Sequence, residues 1–240
     1  MQVTLTDFYE GKPRPGKIIC LAGNYRKHIA ESGYQTPQAE DIITPQLFLK
    51  PATCLIADGQ AIPLRHNNAA VGWEVELAVV MGEPGRDIPA AHAYRHVFGY
   101  TILNDISERQ LNSGIANRHK RENDAFFDWL AGKWFDGFAP CGPVIVTHDE
   151  MGDPHNLGIR LWVNGELHQD GNTSEMIFPI PELVEKISSI MTLERGDIIS
   201  TGTPAGAGLG DAKKALTDGD ELVCEVDRIG RLRNVVRRAR

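Results

Sequence analysis

Two glutamates, Glu74 and Glu76, stand two residues apart in Trp73-Glu74-Val75-Glu76-Leu77-Ala78-Val79-Val80, a run that is otherwise apolar. On a strand, residues i and i+2 point to the same face, so the two carboxylates are adjacent like charges. Such a pair either sits in water on a half-exposed strand or is held by a cation. A second apolar run, Phe98 to Asn104, ends in Asp105, where a side chain can emerge at the rim of a sheet; taken alone, an acid there is more commonly a turn residue. Together Glu74, Glu76 and Asp105, with no histidine or cysteine close by in sequence, offer an all-oxygen donor set that suits Mg²⁺ or Mn²⁺ and suits Zn²⁺ poorly. Three protein ligands leave positions open for substrate and water.

Upstream, Asn24 to Gly33 is expected as a short helix, with Asn24 as N-cap and Gly33 as the stop. His28 and Glu31 are then i and i+3 neighbours, a spacing at which a glutamate can orient a histidine and raise its basicity for general-base work. Outside such a context the same pair is a solvated helix face. The stretch from Asn112 to Trp134 breaks the strand pattern with a charged run, Arg118 to Glu122, followed by Phe126, Phe127, Trp129 and Leu130. It reads as a polar loop entering a short amphipathic helix, either a surface excursion or a flap over a site.

The elements that must position these residues are mostly strands. Lys17–Leu21, Val75–Met81, Val97–Leu103, Val144–Thr147, Ile159–Val163, Ile198–Thr201 and Glu221–Val226 are β-branched or alternating runs bounded by Gly, Pro or Asp. The clearest helix is Pro181 to Met191, with Leu183, Val184, Ile187, Ile190 and Met191 at the spacing of one buried face. Regular β-α-β alternation is missing, which favours an α+β domain on a mixed, rolled-up sheet over a doubly wound nucleotide fold. Residues 1–15, with Pro13 and Pro15, read as a loosely attached leader, and residues 16–240 as one catalytic domain.

Composition narrows the function. Of 240 residues 42% are hydrophobic, ample for a sizeable core, and the net charge of −7 argues against a nucleic-acid or anionic-membrane surface. The arginine-rich end, Arg228 to Arg240, is read in that acidic chain as a solvated terminal strand or a dimer contact. Thr203 to Gly210 is glycine-rich but lacks the G-x-G-x-x-G register of a dinucleotide turn. No stretch approaches a membrane span or a signal peptide. Cys20, Cys54, Cys141 and Cys224 are far apart, without a C-x-x-C pair, which points to a reducing cytoplasm.

A series of motifs then carries a specific resemblance: N-Y-x-x-H-x-x-E (Asn24 to Glu31), F-L-K-P (Phe48 to Pro51), E-x-E-L-A-V-V-M-G (Glu74 to Gly82), G-Y-x-x-x-N-D-x-S-x-R (Gly99 to Arg109), G-K-W-F-D (Gly132 to Asp136), V-N-G-E (Val163 to Glu166), N-T-S-x-M-I-F (Asn172 to Phe178) and G-D-I-I-S-T-G-T-P-x-G (Gly196 to Gly206). In this order the chain resembles the fumarylacetoacetate hydrolase family, in particular its short acylpyruvase-like and 2-hydroxyhepta-2,4-diene-1,7-dioate isomerase-like members. The resemblance implies a mixed β-roll, a homodimer, and a divalent metal, Mg²⁺ or Mn²⁺, on Glu74, Glu76 and Asp105. It also implies His28 and Glu31 as a catalytic dyad on a helix that closes over the ligand, Lys133 as the site lysine, and Arg109, Thr203 and Lys50 as substrate contacts. Relatives carry Arg-Asp-x-Gln where this chain has Arg109-Gln110-Leu111-Asn112, so the usual glutamine contact passes to Gln110 or Asn112.

The implied substrate is a small 2-oxo or β-diketo acid, whose carboxylate and keto oxygens can chelate the ion so that an enolate is stabilised. The reaction expected first is hydrolysis of a C–C bond in an acylpyruvate- or fumarylpyruvate-like acid, with His28 activating water and Lys133 stabilising the oxyanion. The alternative is decarboxylation, isomerisation or hydration of a 2-oxo diacid, as in aromatic catabolism or oxaloacetate decarboxylation.

Overall fold

A computed structural model describes residues 2–9, 15–33, 35, 37, 41, 43–65, 70–209 and 215–238. The main sheet follows the order β1 (Gln2–Thr4), β10 (Ala139–Thr147), β8 (Val97–Asn104), β7 (Val75–Met81), β13 (Ile198–Ser200), β2 (Ile18–Ala22) and β3 (Gln46–Lys50), with β4 (Leu55–Ile56) beside β10. A five-stranded sheet runs β12 (Glu166–Asn172), β11 (Gly158–Val163), β14 (Glu221–Val226), β15 (Gly230–Arg238) and β5 (Ile62–Leu64), and β6 (Val71–Gly72) pairs with β9 (Ser107–Glu108). Most pairings are antiparallel, but β13 with β2, β10 with β4 and β15 with β5 are parallel. The result is the mixed α+β fold expected, dominated by sheet.

Every residue of β7 is buried. A strand enclosed on both faces reads as a continuous apolar run, and that is how Leu77-Ala78-Val79-Val80-Met81 is written. The helices are α1 (Leu5–Phe8), α2 (Arg26–Glu31), α3 (Asp124–Ala131), α4 (His148–Met151) and α5 (Ile180–Ile190). Helix α5 buries Leu183, Val184 and Ile187 as its pattern predicts, with Ile180 added and proline in its first turn, but Ile190, expected on the same face, is exposed at the helix end.

Two expectations need correction. Of residues 1–15, read as a loose leader, those described over 2–9 pack on the domain: β1 pairs antiparallel with β10 at the edge of the main sheet, and Leu5 and Phe8 of α1 are buried in an apolar cluster with Ile18, Cys20 and Ile145, while residues 1 and 10–14 lie outside the described residues. Burying those two side chains anchors a segment too short to show a period. Helix α2 starts one residue later than expected, with Tyr25 rather than Asn24 as its N-cap. The Asn24 amide is drawn away by stronger demands, donating to the carbonyls of Thr201 (2.7 Å) and Phe178 (3.2 Å) and accepting from the Phe178 N–H (2.8 Å). At the other end Gly33, at φ +75°, stops the helix as expected.

Candidate metal centre

The antiparallel ladder of β7 and β8 sets Val75 opposite Asn104, so the residues just beyond each strand, Glu74 and Asp105, meet across the sheet end. The Asp105 N–H donates to the Glu74 carbonyl (2.8 Å), and the Asn104 side chain accepts from the Glu74 N–H (3.0 Å). Glu76, one residue inside β7, shares the Glu74 face. Oxygens of the three buried carboxylates lie within 4.8 Å of one another. The strand therefore carries its acids inward, and the solvated-edge reading is set aside.

Three cations face them. Lys50, at the end of β3, reaches Asp105 Oδ1 (2.6 Å) and the Ile106 carbonyl (3.1 Å). Lys133, just after α3, bridges Glu74 Oε2 and Asp105 Oδ2, each at 2.6 Å, with its ammonium over the rings of Phe48 and Trp129. Arg109 pairs with Glu74 Oε1. Burial alone would raise the Glu74 pKa, but Arg109, Lys133 and His28 outweigh it and hold the carboxyl well below its usual range. Glu76 has less relief, Ser200 and then Lys133 opposing the rise only in part. Burial, then the charges of Asp105 and Glu74, push it up to about 8, although it accepts from Ser200 Oγ and from the Gly202 N–H (2.8 Å).

That imbalance fits a divalent cation. Three buried oxygen donors converge, one of them is short of positive charge, and no softer ligand stands among them. Glu74, Glu76 and Asp105 would hold the ion.

His28 lies beside this group, buried, with Nε2 4.0 Å from Glu74 Oε1. Burial lowers its pKa, so the imidazole is held neutral. Among the described residues its Nδ1 has no partner, and Glu31 turns elsewhere, accepting from the Gly206 N–H (2.8 Å). Here the structure departs from the expected pairing: Glu31 fastens α2 to the glycine-rich turn instead of hydrogen-bonding His28. The turn accepts this only because Gly206 adopts φ +89°, where a Cβ would come within 1.9 Å of the His168 carbonyl oxygen.

Thr203 faces the same turn but spends its hydroxyl on the Val75 carbonyl (2.8 Å), while accepting from Gln169 Nε2 (2.8 Å). Asn112, at φ +63°, donates to Asp128 (2.8 Å), which also pairs with Arg118. Gln110 sits in the same half-buried turn, its N–H on Glu108 Oε1 (2.8 Å). Asn112 thus turns to Asp128 and away from the carboxylates. The Asn112–Trp134 stretch is the expected loop and helix, and α3 does position the site, because Trp129 packs on Phe48 (5.2 Å) under Lys133. Sequence reasoning missed Ser200, Asn104 and Gln169. The last is a buried polar residue on β12 whose oxygen also accepts from the Val75 N–H (3.0 Å). Small polar residues of this kind carry no spacing signal; only the unmet backbone and carboxylate groups around them reveal the need.

The four cysteines are free and buried. Among the described residues no helix is long and apolar enough to cross a membrane.

Comparison with known proteins agrees with this geometry. The family model described as fumarylacetoacetate (FAA) hydrolase C-terminal matches residues 17–237. Oxaloacetate tautomerase YisK of Bacillus subtilis is 42% identical over 93% of this chain and 71% of its own length. Oxaloacetate tautomerase FAHD2B, mitochondrial, of Bos taurus is 41% identical over 93% and 67%. Among solved structures, 5-carboxymethyl-2-hydroxymuconate delta-isomerase from Mycobacterium smegmatis superposes with a TM-score of 0.77 at 37% identity, covering 94% of this chain and 80% of that one. Maleylpyruvate hydrolase from Sphingobium sp. SYK-6, in complex with manganese(II) and pyruvate, gives 0.74 at 31% identity over 95% and 72%. With the family model spanning nearly the whole chain, and three carboxylates gathered at the end of β7 and β8, this protein belongs to the fumarylacetoacetate hydrolase family.

Proposed function

We propose that this protein is a metal-dependent isomerase or tautomerase of a small 2-oxo diacid. The observation that carries the diacid in this reading is the charge of the buried site, and the choice of isomerase over hydrolase is supported by the relatives named below. Three acids, Glu74, Glu76 and Asp105, stand with three cations, Lys50, Lys133 and Arg109, so with every acid ionised a divalent cation would leave the array two charges positive. A desolvated site of that charge favours a dianion over a monoanionic acylpyruvate. The tautomerases and the delta-isomerase to which the chain is similar support the same direction.

A divalent cation bound by the three carboxylates, Mg²⁺ or Mn²⁺, supplies Lewis acidity toward the two adjacent oxygens of a 2-oxo acid. The residues do the rest. His28, held neutral by burial, takes the proton from the carbon next to the keto group and returns it, either to the oxygen or to a more distant carbon of a conjugated chain. Lys133, fixed between Glu74 and Asp105, keeps positive charge beside the oxygen that becomes negative. Arg109 reaches a substrate carboxylate once it exchanges Glu74 for it. Glu31 holds α2, and with it His28, against the turn at Gly206.

The test is product analysis by NMR in D₂O with Mg²⁺ or Mn²⁺, and again with a chelator, on oxaloacetate, an unsaturated 2-oxo diacid, fumarylpyruvate and acetylpyruvate. The expected result is metal-dependent exchange or a shifted double bond at constant composition, slowed by roughly 10²–10⁴ in His28→Ala. Release of pyruvate with a second acid would instead establish hydrolysis, the second reading, which similarity to the maleylpyruvate hydrolase favours. Loss of CO₂ would establish a decarboxylase.

A further inference from the structure

Among the described residues, four buried side-chain atoms lack any hydrogen-bond partner: Tyr25 Oη, His28 Nδ1, Thr101 Oγ1 and Arg109 Nε. Two of them belong to side chains that flank Glu74. A third, Tyr25, opens the helix that carries His28. It is also the odd one among buried aromatic rings, for although it is 0% exposed it belongs to neither apolar cluster of the core.

The backbone on either side is pinned. Tyr25 bridges Met176, its carbonyl accepts from the Ile29 N–H (3.0 Å), and the preceding Asn24 is tied to Thr201. Thr201 leads directly to Gly202, whose N–H binds Glu76. The backbone of Tyr25 is therefore fixed one residue from the Asn24 side chain that packs on Gly202, in the turn that supports a metal ligand. Burial, with Glu76 as the first charge the phenol feels and Glu175 the second, keeps it protonated, so it is a donor. A buried donor left unmet is costly, and a ligand oxygen is what would meet it.

We propose that Tyr25 is a ligand-contacting residue whose hydroxyl donates a hydrogen bond to an oxygen of the bound 2-oxo acid on the Glu76 side of the site. The inference rests on the proposed substrate class and extends it, since it adds a specific donor for the dianion beyond Lys133 and Arg109.

The test is Tyr25→Phe, which removes one oxygen and preserves the ring. Three quantities are compared with the parent protein: the thermal midpoint without ligand, the Mn²⁺ affinity, and the affinity for oxalate at saturating Mn²⁺ by calorimetry. Oxalate is chosen as a planar dianion with the paired oxygens of a 2-oxo acid. The expected result is a midpoint unchanged or raised, Mn²⁺ affinity unchanged, and oxalate bound roughly tenfold or more weakly. Unchanged oxalate affinity overturns the inference. A lowered midpoint without ligand also overturns it, whatever the oxalate result, because the hydroxyl then serves the fold. If the parent protein itself binds no oxalate, the substrate class proposed above falls, and the role of Tyr25 falls with it.

Discussion

Two clusters of acids and bases on neighbouring sheets are built from the same residue types and have opposite meanings. On the five-stranded sheet, Arg160 stands 3.0 Å from Asp227, 3.1 Å from Glu225 and 3.3 Å from Asp170, with Asp170 61% and Asp227 45% exposed. At the end of β7 and β8, Glu74 and Asp105 meet Lys50, Lys133 and Arg109 at 5% exposure or less for the two acids. Water screens the first cluster, and its members keep their solvation whether or not they pair. In the second, each charge has surrendered water and depends on its neighbours. Such an arrangement is a poor route to stability alone, and its position in a chain with the site's other residues indicates a binding centre.

Four substitutions distinguish the buried cluster from the exposed one. The largest effect is expected for Asp105→Ala, which strips the anion shared by Lys50 and Lys133. Denaturant unfolding should show a loss of about 3–5 kcal/mol. A loss under about 1 kcal/mol would place the cluster in the same class as the exposed one.

Glu76→Gln should separate ligand binding from folding. Because Glu76 pairs with no cation among the described residues and its carboxyl is pushed up to about 8, neutralising it should leave the metal-free protein within about 1 kcal/mol of the parent or more stable. Calorimetric Mn²⁺ affinity should drop by about 100-fold or more. The parent, by contrast, should gain about 2.7 kcal/mol at Mn²⁺ a hundredfold above its Kd, a gain that a chelator reverses.

For Arg160→Ala, in the screened cluster, the expected change is about 1 kcal/mol or less, shrinking further at high salt. A larger loss would show that the open sheet depends on its ion pairs.

The smallest effect concerns the loop before α3. Hydrogen bonding from Arg118 holds the Asp128 carboxyl below its ordinary value of 3.8, with Asn112 adding to it. Since the folded value lies below the unfolded one, the stabilising contribution is fully present above 3.8 and is lost as pH falls through the folded value. The stability difference between the parent and Asp128→Asn should therefore narrow as pH drops below that point, with faster amide exchange at the start of α3.

How far these regions were legible in the sequence depended on period and contrast. Strands β7 and β14 match their expected bounds, and α5 lies within a residue of its own, because long regular patterns report burial directly. The carboxylates stood out because Glu74 and Glu76 interrupt an apolar run. Gln169 and Ser200 had no such contrast, and β1 is only three residues long, so nothing in its pattern separates it from a leader.

The α+β class followed from the run of strand patterns, and the family from the order of its motifs; the spacing of Glu74 and Glu76 marked the acids, while Asp105 and His28 gained their roles only through that resemblance. Only the tertiary structure decided that Glu31 holds Gly206 instead of His28, that Asn24 serves Thr201 instead of capping α2, and that Lys50 and Lys133 converge on one aspartate. These are choices among competing hydrogen-bond partners. Each is settled by which unmet donor or acceptor the folded chain brings within reach, and segments far apart in sequence supply those partners.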